Sequence, residues 1–194
     1  MRRTATAGPL IVLAALALSA CSDSGPGVVS GPSAPASTSA PAGGATITGT
    51  GYSYSGPTGW TDAKDKVTGQ STAKVDTIMT NTSDRDGFAD NVNVIRQTGA
   101  GRVTLAAVEA ASATQLKSAG ASNVQVLPRT QVDGTESSHV TADAKTGPTP
   151  YLVEQLYILR DGTSYTVTFS FSKTSTQQAR NTAISAVTSS WKWS

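Results

Sequence analysis

The stretch YLVEQLYILR (Tyr151–Arg160), DG (Asp161-Gly162) and TSYTVTFSF (Thr163–Phe171) decides the fold. It reads as two strands joined by a two-residue turn. Asp-Gly suits a type I′ turn, whose two central residues both need positive φ and whose twist matches that of paired strands. In the second arm Tyr165, Val167, Phe169 and Phe171 alternate with Ser164, Thr166, Thr168 and Ser170. Successive strand side chains point to opposite faces, so this pattern predicts one fully buried face only.

Working outward from this hairpin, Thr176 to Ser190 carries an apolar stripe of Ala183, Ile184, Val187 and Trp191 at helical spacing. Upstream, Asn123–Leu127 and Ser137–Ala144 are strand-like runs joined through Val132-Asp133-Gly134. Before them Thr104 to Ala119 reads as a helix: Thr104 is a suitable N-cap, Leu105, Val108, Ser112 and Leu116 recur at three- and four-residue steps, and Gly120 follows. The run NVNVIRQ (Asn91–Gln97) alternates strictly, with Val92, Val94 and Arg96 on one face and Asn91, Asn93 and Ile95 on the other, until Gly99 and Gly101 break it. Ala73–Thr80 and Thr46–Tyr54 complete the strands, the latter ending at Gly56-Pro57. Strands interrupted by one central helix and closed by a terminal one predict an α+β sandwich. It would be a single antiparallel sheet of about six to seven strands with two main helices packed on one face.

The beginning of the chain follows a different logic. Arg2 and Arg3 precede an apolar run from Leu10 to Leu18, and Leu18-Ser19-Ala20-Cys21 follows. A charged start, a short apolar core and small residues before a cleavage point make a secretory signal over residues 1–20. The run is shorter than the roughly 20 residues a spanning helix needs. Cys21 is the only cysteine, so it has no internal disulfide partner, and an exposed lone thiol in an exported protein invites oxidation. Residues 21–45 then hold almost no large apolar group and much Ser, Pro, Gly and Ala. Such a segment buries too little surface to offset its ordering entropy and is expected to be a disordered tether. The globular domain is expected over residues 46–194.

The sequence has 15 Lys+Arg against 13 Asp+Glu. Loss of Arg2 and Arg3 with the signal leaves 13 against 13, a neutral mature chain. No basic run remains, so nucleic-acid binding is not expected.

Candidate chemistry is sparse. His139 is the only histidine; as the base of a serine esterase it would need a serine and an acid such as Asp143. No serine sits in Gly-x-Ser-x-Gly, and on a regular strand Asp143 would lie about 13 Å from His139, so a solvent-facing strand histidine is expected. Asp84, Asp86 and Asp90 cluster, yet calcium needs six to eight oxygens and the EF-hand spacing is absent; a polar turn is expected. One histidine and one cysteine leave no zinc set, and neither a metal nor a cofactor is implied. An apolar groove could draw on Tyr52, Tyr54, Trp60, Phe88, Tyr151 and Tyr157, because Tyr and Trp pair contact area with a polar tip. Asn91 and Asn93 share a face and could bond a sugar or lipid head group. Core packing is the competing role for Trp60, and ladder or turn contacts for the asparagines.

Two blocks also carry a family resemblance. Leu18-Ser19-Ala20-Cys21 resembles the lipobox of bacterial lipoproteins, which implies cleavage before Cys21 and a diacylglycerol anchor with further acylation such as palmitate. The run Tyr52-Ser-Tyr-Ser-Gly-Pro-Thr-Gly-Trp60, the Asn91-Val-Asn-Val94 strand and the closing hairpin and helix resemble the LpqN-type actinobacterial lipoproteins. Those are similar to the PsbP-like α/β/α sandwich. The resemblance implies a non-enzymatic, lipid-anchored protein on the extracytoplasmic face of the cell membrane. It would bind an envelope lipid or glycolipid or assist a membrane transport partner, with a serine-type esterase or a pure protein-interaction module as alternatives. Tyr52, Tyr54, Trp60, Phe88, Asn91 and Asn93 are the expected ligand contacts and Cys21 the lipidation site.

Overall fold

A computed structural model describes residues 43–66 and 75–194. The signal, Cys21, most of the tether and the start of the Ala73–Thr80 strand lie outside the described residues. In chain order the elements are β1 (Thr46–Gly49), β2 (Tyr52–Ser55), β3 (Trp60–Asp62), β4 (Val75–Asn81), β5 (Asn91–Thr98), α1 (Leu105–Ser118), β6 (Ser122–Val132), β7 (Thr135–Thr146), β8 (Thr149–Arg160), β9 (Thr163–Ser172), α2 (Gln177–Ser190) and β10 (Lys192–Trp193).

The main sheet has seven strands in the order β3-β4-β5-β9-β8-β7-β6, and every pair is antiparallel. The deciding hairpin is its centre: Arg160 pairs with Thr163 across a turn in which Asp161 and Gly162 have φ of 49° and 70°. Asp133 and Gly134 make the corresponding turn between β6 and β7, at φ 45° and 76°. Both turns follow from Asx-Gly chemistry, since Asp tolerates the left-handed region and Gly favours it.

Three expectations are corrected. First, Thr46–Tyr54 is not one strand. Gly51, at φ 86°, turns the chain back, so β2 pairs antiparallel with β1. The C-terminal β10 pairs with the other edge of β2, giving a second sheet of three strands in the order β1-β2-β10. Second, Trp191 does not belong to the helical stripe. It is the C-cap of α2, with extended backbone at φ −58° and ψ 133°, which frees its ring to turn under the small sheet. Third, both faces of the main sheet are buried. On one face Val92, Val94, Leu156, Ile158, Val167, Phe169 and Phe171 form a core with Tyr52, Tyr54, Trp191 and the Ala183 and Val187 side of α2. On the other, Val140, Ala142, Tyr151, Val153 and Tyr157 pack against Val108 and Leu116 of α1. The helices therefore cover opposite faces. Thr166, Thr168 and Ser170, read as the wetter side of β9, are all buried.

Caps fix the helix ends as their residue types predict. Thr104 Oγ1 accepts from the Ala107 N–H at 3.2 Å, and Thr176 Oγ1 does the same for Ala179. Gly120, at φ 84°, ends α1: its N–H bonds Lys117 O and that of Ala121 bonds Leu116 O, the paired closure of a Schellman motif.

Candidate functional site

Strand alternation, read through the observed register, separates the expected ligand contacts instead of gathering them. Tyr52 and Tyr54 point inward from β2 and are both 0% exposed. Trp191 stacks on Tyr52 with ring centroids 4.4 Å apart and planes at 5°, and on Tyr54 at 5.4 Å and 4°. Both phenols bond the hydroxyl of Thr77, at 2.9 and 3.3 Å. Burial pushes both phenols well above the usual range, against the hydrogen bond from Thr77. These two tyrosines line no groove; they belong to the core.

Asn91 and Asn93 lie on the opposite face. They pair in register with Ser170 and Thr168, on the side that faces α1 further along the sheet. The Asn91 amide donates to Ala89 O at 3.0 Å, which is a turn contact. Asn93 is 1% exposed, and neither its amide nitrogen nor its oxygen has a partner. Next to it in the sheet, Thr168 Oγ1 accepts from Gln155 Nε2 at 3.1 Å, and Gln155 Oε1 accepts from Tyr157 Oη at 2.7 Å. Burial pushes the Tyr157 phenol up to about 12, opposed by a hydrogen bond with Ser112 of α1. Phe88 stacks on Tyr151, centroids 5.4 Å apart, at the rim of the same face. A buried polar row thus crosses β5, β9 and β8.

Trp60 lies on the α2 face, 5% exposed and packed into the same core as Tyr52 and Tyr54, and it also lines a cleft. A cleft of about 410 Å³ runs between β3 and the first turns of α2. Trp60, Phe171, Ala179 and Ala183 form its apolar wall, and Asn81, Asp90 and Gln178 lie on its rim. Asp90 is held in place by its neighbours: Ser172 N–H donates to Oδ1 at 2.6 Å and Ser175 Oγ to Oδ2 at 2.7 Å. Burial raises the Asp90 carboxyl above its ordinary value, against those two hydrogen bonds. From its sequence neighbours Asp90 belongs only to the acidic turn. Its place beside Trp60 comes from the pairing of β3 with β4, which puts Trp60 opposite Asn81.

The other two acids of that turn are engaged locally. Asp84 accepts from Asn81 Nδ2 and from the Asp90 N–H, both at 2.7 Å. Asp86 accepts from the Phe88 N–H at 3.1 Å and from the Thr174 hydroxyl. Burial raises Asp84, whereas hydrogen bonds from Ser172 and Thr174 lower Asp86. These contacts make a polar turn, and no cluster of metal-binding side chains occurs among the described residues.

His139 is not solvent-facing, which corrects the expectation for it. Its side chain is 16% exposed, and Nε2 lies 2.8 Å from Glu154 Oε2 on the neighbouring strand. Arg180 of α2 stands 3.9 Å from the other oxygen of Glu154. Asp143, the acid considered for an esterase, pairs instead with Lys173 and with Asn123 Nδ2. Glu154 is the residue sequence spacing missed: it is the diagonal neighbour of His139 across the β7–β8 register, visible only once that register is known. Among the described residues no serine hydroxyl bonds His139.

No family model and no curated protein matches the chain. Solved structures do resemble it. LpqN, a protein involved in cell envelope biogenesis of Mycobacterium tuberculosis, superposes with a TM-score of 0.51 at 11% identity, over 77% of this chain and 84% of that one. A protein from Bacteroides thetaiotaomicron also gives 0.51, at 10% identity over 78% of this chain. The match covers 48% of that protein, so the chain spans about half its length. The cyanobacterial PsbP protein of Synechocystis, CyanoP, gives 0.49 at 17% identity, over 77% of this chain and 92% of that one. At such identities the likeness is one of fold, and no family assignment by sequence accompanies it.

Proposed function

We propose that this chain is a non-enzymatic cell-envelope lipoprotein that holds the apolar part of an amphipathic ligand, an envelope lipid or glycolipid, in the Trp60 cleft. The observation that carries the reading is the cleft itself. It joins an aromatic and alanine wall to a polar rim that includes a partly buried carboxylate, and concave apolar surface with a few placed polar groups suits such ligands. The cell-envelope role of LpqN agrees with it. Acylation at Cys21 would anchor the chain to the extracytoplasmic face of the membrane. A tether of about 24 residues would let the domain range some 25–30 Å from the anchor. Confinement near the bilayer would raise the effective concentration of membrane-borne ligands, or of a membrane transport partner that receives them. No helix among the described residues is long and apolar enough to cross a membrane.

Equilibrium binding of the mature chain carrying Cys21→Ser to a panel of short-chain envelope lipids and glycolipids tests the reading. Ala179 is exposed on the cleft wall, so Ala179→Trp fills the cleft without disturbing the core and is expected to weaken binding at least tenfold. His139→Ala, across α2, is expected to leave binding unchanged. No saturable binding across the panel removes the ligand reading. Ester turnover by the mature chain that His139→Ala abolishes would put the esterase in its place.

A further inference from the structure

A second cleft, of about 460 Å³, lies at the other end of the small sheet, beneath the β1–β2 turn. Thr50, Lys64, Asp76 and Arg96 line it. Arg96 sits on β5 opposite Tyr165, and its Nε is withdrawn from solvent with no partner. A guanidinium stays charged at any physiological pH, and its donors are costly to bury unused. The other partly buried arginine of the fold, Arg180, spends its side chain on Ser175 O and Glu154. Arg96 alone among the described arginines combines a buried nitrogen with no hydrogen bond and no ion pair.

The neighbouring carboxylate does not fill this role. Asp76 accepts from the Thr50 N–H at 2.8 Å and from the Thr50 hydroxyl at 3.0 Å, one bond to each oxygen, and makes no ion pair with Arg96. Lys64 is exposed and donates from Nζ to the backbone oxygen of Asp76 at 2.7 Å, so two of its three ammonium hydrogens remain. Two cations therefore face one anion whose oxygens are already engaged by the turn, and the cleft keeps a net positive charge.

We infer that this cleft binds a phosphate group, with Arg96 supplying the planar donor fork and Lys64 a second charge. A guanidinium with free donors matches two phosphate oxygens at once, and charge-assisted bonds of this kind are the strong ones. The volume takes more than a bare ion, since one water occupies about 30 Å³ of liquid. A lipid head group and a free phosphate share this chemistry. The site is separate from the Trp60 cleft, and neither reading depends on the other.

The mature chain carrying Cys21→Ser is titrated with inorganic phosphate by calorimetry. It is also sedimented with vesicles of phosphatidylcholine, with and without phosphatidylglycerol. Saturable phosphate binding that Arg96→Gln weakens at least tenfold and Lys64→Gln severalfold is the expected result. Arg96-dependent sedimentation on the phosphatidylglycerol vesicles identifies a lipid head group as the source; phosphate binding without it identifies a free anion. No binding in either arm, or binding that both variants leave unchanged, overturns the inference. Lys64 is exposed, so Lys64→Gln decides the matter should Arg96→Gln fail to fold.

Discussion

The two faces of the central sheet both carry a buried core and are chemically unlike. Beneath α2 lies an aromatic layer: Trp191 laid across the adjacent rings of Tyr52 and Tyr54, Tyr165 edge-on to Tyr52, and Phe169 stacked on Phe171. On the α1 side the same strands present Asn93, Thr168, Gln155 and Ser138. The first face gains its stability from ring area and offset stacking. The second spends side-chain hydrogen bonds to cancel its desolvation, and at Asn93 and Ser138 the cancellation is incomplete. Alternation along a strand reports the polarity of a face and not its exposure.

Alkaline pH should break the aromatic face outright. Burial raises the phenols of Tyr52 and Tyr54 on this face, as it does those of Tyr151 and Tyr157 on the α1 side, above the value of about 10 they have in the unfolded chain. A group whose folded pKa is raised contributes stability that is complete below its unfolded value and is lost as pH climbs towards the folded one. Stability should therefore fall steeply above about pH 10, with phenolate absorbance rising together with loss of circular dichroism. Phenols ionising at that pH with the fold intact would contradict the burial argument. Next in size, Trp191→Ala should cost about 3–5 kcal/mol in urea unfolding, the range for deleting a large buried aromatic. Thr77→Val removes the partner that both Tyr52 and Tyr54 use, and should cost about 1–3 kcal/mol.

On the polar face the sign should reverse. Asn93→Leu keeps the shape but discards an amide without partners, and should stabilise by about 1 kcal/mol. A loss of similar size would mean that a polar group occupies the space beside Asn93, and would make the two faces more alike than they look.

The central hairpin, the two Asp-Gly turns and the Thr104 cap were legible because their signals are local: φ tolerance in Asp and Gly, hydroxyl capping in Thr104. The small sheet was not. Its third strand is Lys192–Trp193, too short to carry a pattern, and it joins β2 from the far end of the chain. The same long-range step drew Trp191 from the helical stripe into the tyrosine stack. Of the expected ligand contacts, Trp60, Tyr52 and Tyr54 are all core, Trp60 alone of the three also lines a cleft, and Asn93 lies on the opposite face. The residue types were suggestive; which face each one reached depended on sheet order, which no single strand encodes. Glu154 beside His139 and Asn81 beside Trp60 are consequences of register in the same sense.

Native mass spectrometry of the mature chain carrying Cys21→Ser, produced in a host that makes envelope lipids, tests the central claim most directly. The account predicts a retained lipid or glycolipid mass on this chain and none on its Ala179→Trp counterpart. A bare mass for both, or the same adduct on both, would contradict the assignment of the Trp60 cleft as the ligand site.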